Sequence, residues 1–107
     1  MFDVSQISKR YFGISLAAEK EDGTIDRIEL QVEPPTVKQL RKLMSVAKSD
    51  NTAAMDDLED AVRCILSKNK TGYIVPDAYV DSLDFDQLTG ILEAYLNWVG
   101  EEKKAKN

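Results

Sequence analysis

The hydrophobic period changes from two to about 3.6 at Pro34-Pro35, and this switch divides the chain into an extended half and a helical half. Upstream, Phe12, Ile14 and Leu16 recur at every second position, and Ile28, Leu30 and Val32 do so again, interleaved with Arg27, Glu29 and Gln31. Each run presents one apolar face to a core. The polar stretch between them carries Asp22-Gly23, a dipeptide suited to tight turns because Gly adopts positive φ freely and Asp tolerates it. The pattern predicts an antiparallel hairpin over about residues 10–33, with its register open. The two prolines end it, since proline supplies no ladder donor and holds the residue before it away from helical angles.

Thr36 with Gln39 three residues later matches a capping box, in which hydroxyl and amide each satisfy an unpaired backbone N–H. The helix it opens carries Val37, Leu40, Leu43, Met44 and Ala47 at helical spacing and Lys38, Arg41, Lys42 and Lys48 outside them. It is expected to stop near Ser49-Asp50-Asn51. A second helix aligns Met55, Leu58, Ala61, Val62, Ile65 and Leu66, with Asp56, Asp57, Glu59 and Asp60 near its positive end. Lys68, Asn69 and Lys70 suit its last turn, and Thr71-Gly72 supplies the stop. Pro76-Asp77 opens a brief helix containing Tyr79, Val80 and Leu83. Asp84 and Gln87 repeat the capping pattern before a last helix with Leu88, Ile91, Leu92, Tyr95, Leu96 and Val99 on one stripe.

These elements define an α+β fold, mainly α: an N-terminal antiparallel hairpin, three main helices and one short one. With 107 residues there is room for one domain, its helical part over about 36–100 and a charged tail over about 101–107 expected to fray. An isolated hairpin is marginal in water, so Phe12, Ile14, Ile28 and Leu30 are expected to bury against the helices or against a neighbouring subunit's strands. Its outer edges would remain open to strand addition.

Composition narrows the function classes. A net charge of −5 disfavours general nucleic-acid affinity, which needs a basic surface. No run approaches the roughly 18 apolar residues of a membrane span, and one cysteine, Cys64, gives no internal disulfide. A reducing cytoplasm is the default. The chain has no histidine to serve Cys64 as a base, so no nucleophile and base pair is present. Consecutive carboxylates at 56–57 and 59–60 point apart on a helix; of Asp77, Asp81, Asp84 and Asp86, three suit first turns and caps, and their spacing fits no known metal site. No catalytic residue, cofactor or metal site is assigned, and an enzyme is not expected.

Two features admit two explanations each. The basic first helix and the acidic start of the second either screen each other or steer a partner or self-association. Trp98 either flanks the core beside Tyr95 or anchors an interface, with Lys103, Lys104 and Lys106 as a polar rim.

The assembled order resembles the small tail assembly chaperones encoded by long-tailed phages and prophages of Gram-positive bacteria. It rests on Phe2-Asp3-Val4-Ser5-Gln6-Ile7 with Lys9-Arg10-Tyr11-Phe12, on Val32-Glu33-Pro34-Pro35-Thr36-Val37-Lys38-Gln39-Leu40-Arg41-Lys42-Leu43, and on Met55-Asp56-Asp57-Leu58-Glu59-Asp60-Ala61-Val62. Ile65-Leu66-Ser67-Lys68-Asn69-Lys70, Phe85-Asp86-Gln87-Leu88 and Leu92-Glu93-Ala94-Tyr95-Leu96-Asn97-Trp98-Val99 complete it. The resemblance implies binding of the tape-measure protein, maintenance of its solubility, and help for tail-tube subunits polymerising around it. It implies action in the cytoplasm of the bacterial host and absence from the mature virion. No nucleic acid, membrane or cofactor is expected to take part, and a homo-oligomer is compatible. Tyr95, Trp98, Lys103 and Lys104 are the candidate client contacts. The competing expectation is a small structural subunit, of the tail tube or head completion, that assembles through the hairpin. A regulator is disfavoured because no basic recognition helix follows a helix-turn-helix glycine.

Overall fold

The computed structural model describes residues 1–48 and 55–105, the last four by backbone alone. A 3₁₀ turn, Val4–Gln6, precedes strands β1 (Phe12–Glu19) and β2 (Ile25–Val32), followed by helices α1 (Val37–Lys48), α2 (Met55–Ser67), α3 (Asp77–Asp81) and α4 (Phe85–Ala105). This is the expected α+β order, mainly α, with the hairpin first.

The strands pair antiparallel from Phe12↔Val32 to Glu19↔Ile25, so Ile14 faces Leu30 and Leu16 faces Ile28 across the ladder. That register gathers the period-two apolar residues of both strands on one side, where Leu16, Ala18, Leu30 and Val32 are buried. The turn differs from a two-residue hairpin turn. Gly23 N–H donates to the Lys20 carbonyl, Lys20 N–H donates to the Thr24 carbonyl, and Gly23 alone of the pair has positive φ, at 87°. A longer loop of this kind uses one left-handed residue, so Asp22 is released from that role. Its carboxylate instead accepts from the Thr24 hydroxyl at 2.6 Å and the Thr24 N–H at 3.0 Å.

Both capping boxes form. Thr36 N–H donates to Gln39 Oε1 and Gln39 N–H donates to Thr36 Oγ1, and Asp84 and Gln87 exchange the same pair of bonds. The α1 cap therefore satisfies backbone donors immediately after the prolines that end β2. The expected stop of this helix at residues 49–51 lies outside the described residues. α1 itself turns differently from expectation. Leu43 is buried and Leu40 and Val46 are half-buried, whereas Val37, Met44 and Ala47 are exposed. The apolar residues of this helix spread over more of its circumference than the core covers.

α2 is the central element, with Leu58, Ala61, Val62, Ile65 and Leu66 buried, and it touches α1, α3, α4 and β2. It ends at Ser67 rather than at Thr71-Gly72. Two stronger claims on the backbone stop it there. Lys68 and Lys70 bond to β2, with Glu33 N–H donating to the Lys68 carbonyl at 2.7 Å and Lys70 N–H donating to the Gln31 carbonyl at 2.8 Å. Between them, Asn69 bridges to Val32 and is itself buried. Its amide donates to the carbonyls of Leu66 and Tyr73, and its Oδ1 accepts from Tyr73 N–H and the Thr71 hydroxyl. One side chain thus closes the helix end and shapes the loop. Gly72, at φ 70°, lies in that loop rather than at the helix cap.

Candidate partner-binding surfaces

The residues singled out on the last helix fall in a seam between α4 and the chain's own N-terminal half. Phe12, Tyr95 and Trp98 form a three-ring cluster with centroids 5.5 to 5.7 Å apart, inside the range where aromatic pairs attract. Tyr95 is only 1% exposed, and its hydroxyl donates to the Glu33 carbonyl at 2.7 Å. Burial pushes its phenol well above the ordinary tyrosine range, so it remains a donor across the working pH of most proteins. Tyr95 is therefore a core residue with a satisfied polar end, and the client contact expected of it is not on the surface.

Trp98 is half-buried and covered on one face. The Arg10 guanidinium carbon sits 4.2 Å from its ring centroid, and the same guanidinium donates to the carbonyls of Trp98 and Val99, each at 2.8 Å. This cation completes a stack and binds α4 where its apolar stripe gives way to Gly100-Glu101. Of the two explanations for Trp98, the geometry matches the one that places it at the core margin. The backbones of Lys103 and Lys104 belong to α4, and their side chains lie outside the described residues.

The charged helices do not screen each other through ion pairs. Among the described residues, none of Lys38, Arg41, Lys42 and Lys48 lies within 4.0 Å of a carboxylate, and Asp56, Asp57 and Asp60 have no cation at that distance. The acidic residue of this group that does pair, Glu59, lies 3.6 Å from Arg63 on its own helix. Arg63 also reaches Asp77 at 2.8 Å and Asp81 at 3.1 Å, fastening α3 to α2. Among the described residues, no group of three or more His, Cys, Asp and Glu side chains could hold a metal ion, and no helix is long and apolar enough to cross a membrane.

Uncovered apolar side chains concentrate at the N-terminus, a location that sequence periodicity does not flag. Phe2, Val4 and Ile7 are 77%, 71% and 60% exposed around the 3₁₀ turn, which Asp3 caps by accepting from Ser5 N–H. Ile74 is exposed in the loop before α3, and Phe85 at the start of α4. A shallow groove of 450 Å³ runs between β1 and α4, with Ile14, Leu83, Ile91 and Ala94 in its lining. Among the described residues, β1 has a strand neighbour on one side only. Its outer edge is touched by Ser82, whose hydroxyl donates to the Ala17 carbonyl at 3.4 Å.

Comparison of the chain with protein-family models, with curated proteins and with solved structures finds no match.

Proposed function

We propose that this chain is a tail assembly chaperone that binds the tape-measure protein of a long-tailed phage or prophage. It keeps the client's hydrophobic helices soluble and helps tail-tube subunits polymerise around it in the host cytoplasm, leaving no copy in the mature virion. The observation that carries the reading beyond sequence resemblance is the exposed apolar set Phe2, Val4 and Ile7. Covering side chains of this size contributes about 1.5–3 kcal/mol each, so three together offer a client a useful contact without any cofactor. The client face thus moves from the Tyr95 seam to the N-terminal segment.

Co-expression with the longest protein of the same phage locus tests this. Soluble co-elution is expected with the native chain, and Phe2→Ser with Val4→Ser and Ile7→Ser is expected to abolish it while far-UV circular dichroism stays unchanged. An insoluble client beside well-folded native chain overturns the reading.

A structural subunit built through the hairpin is the second reading, favoured by the outer edge of β1, along which no strand runs among the described residues. Mass spectrometry of purified particles separates the two, because a structural subunit is retained in them and a chaperone is absent.

A further inference from the structure

The exposed face of α1 combines two properties that a solvated helix face seldom has together. Val37, Arg41, Met44 and Lys48 are spaced by four, three and four residues and share the side turned away from buried Leu43. Two of them are large apolar residues, 67% and 41% exposed for Val37 and Met44, and two are cations. Lys38 and Lys42 flank the stripe, and α1 contains no acidic residue at all. The opposite charge lies on the same chain. Asp56 and Asp60, four residues apart and exposed, share the outer face of α2, with Asp57 exposed beside them and Met55 49% exposed at the helix start. Neither set is neutralised within the molecule among the described residues.

We infer that α1 docks the start of α2 from a second copy of this chain. Arg41 and Lys48, with Lys38 and Lys42 at the rim, face Asp56, Asp57 and Asp60, and Met44 lies against the first turn of α2, where Met55 is exposed at the edge of the contact. Complementary charge sets partner and register at a specific interface, and the exposed methionines add apolar contact at its edge. Because each copy carries both surfaces, a two-fold arrangement uses the contact twice and closes at a dimer. Solvent-exposed ion pairs are weakened by salt, so the association is salt-dependent.

The test uses purified full-length chain in sedimentation velocity, with no client present, so its outcome is separate from that of the chaperone reading. A dimer is expected at about 20 mM salt, with the dissociation constant rising roughly tenfold or more by about 500 mM. Two charge-reversed variants, Lys38→Glu with Arg41→Glu and Lys48→Glu, and Asp56→Lys with Asp57→Lys and Asp60→Lys, are each expected to be monomeric alone. Mixed together, they are expected to associate, because each then offers the sign the other needs on both helices. Far-UV circular dichroism and thermal unfolding verify that each variant is folded. A native chain that stays monomeric at low salt, a variant that still self-associates, or a mixture that fails to associate although both variants are folded overturns the inference.

Discussion

Arg10 ties together regions of this chain that are remote in sequence, and Asn69 closes the end of α2 through bonds to residues two to four positions away. Replacing Asn69 with Ala leaves the Leu66 and Tyr73 carbonyls and the Tyr73 N–H without their side-chain partner, the first in a buried and the other two in a partly buried setting. The expected loss is about 2–4 kcal/mol, read as a lower urea midpoint at unchanged m-value. Ser67→Ala, which removes an exposed bond to the Cys64 carbonyl, is the control and is expected to shift the midpoint by under about 1 kcal/mol. Neither linchpin was legible in the sequence. Asn69 reads there as an ordinary residue near a helix end, because its bonds to Leu66, Thr71 and Tyr73 depend on the path the loop takes after α2. Arg10 and Trp98 are 88 positions apart, and no local pattern announces a guanidinium on an indole at that separation. Tyr95 lies on the apolar stripe that the spacing of its helix predicts, whereas its part in a client contact depends on which side of that stripe the N-terminal half covers.

At the level of elements, local chemistry was a good guide where the determinants are local. Both capping boxes, the strand alternation and the break at Pro34-Pro35 depend on neighbours within a few positions, and each appears as expected. The exposed side of α1 escaped because periodicity reports that a helix is amphipathic and says less about how wide a stripe the core will take. The hairpin turn yields a pH prediction. Hydrogen bonds from the Thr24 hydroxyl and then the Thr24 N–H hold the Asp22 carboxyl below its ordinary range. A folded-state pKa depressed in this way contributes stability that is complete above the unfolded value of about 3.9 and disappears as pH falls through the lower folded value. An NMR titration is expected to show the Asp22 carboxyl and the Thr24 amide moving with one shared midpoint below that value. Gly23→Ala in the same turn is expected to cost about 1 kcal/mol, since its φ of 87° strains any residue with a Cβ.

Across the whole molecule, hairpin and helices share a single core, and this predicts cooperative unfolding. Leu16 and Leu30 from the strands belong to the same buried cluster as Leu58 and Ile65 of α2 and Leu92 of α4. Trp98 fluorescence, which senses the seam between α4 and the N-terminal half, and far-UV circular dichroism, which senses the helices, are expected to give coincident urea transitions. Arg10→Ala is expected to lower both midpoints together, by about 1–3 kcal/mol, because it removes two charge-assisted bonds and the cover over Trp98. Separate transitions for the two probes would show instead that the hairpin is an independent unit.

The short pairing of Lys68 and Lys70 with β2 carries a consequence for how this chain misfolds. In the native molecule, that segment occupies the outer edge of β2 at Gln31 and Glu33. A chain whose hairpin forms before α2 docks leaves that edge bare. Bare strand edges recruit one another. Aggregation of this protein is therefore expected to rise with expression level and with substitutions that slow the docking of α2, a dependence that the insoluble fraction measured across induction levels checks.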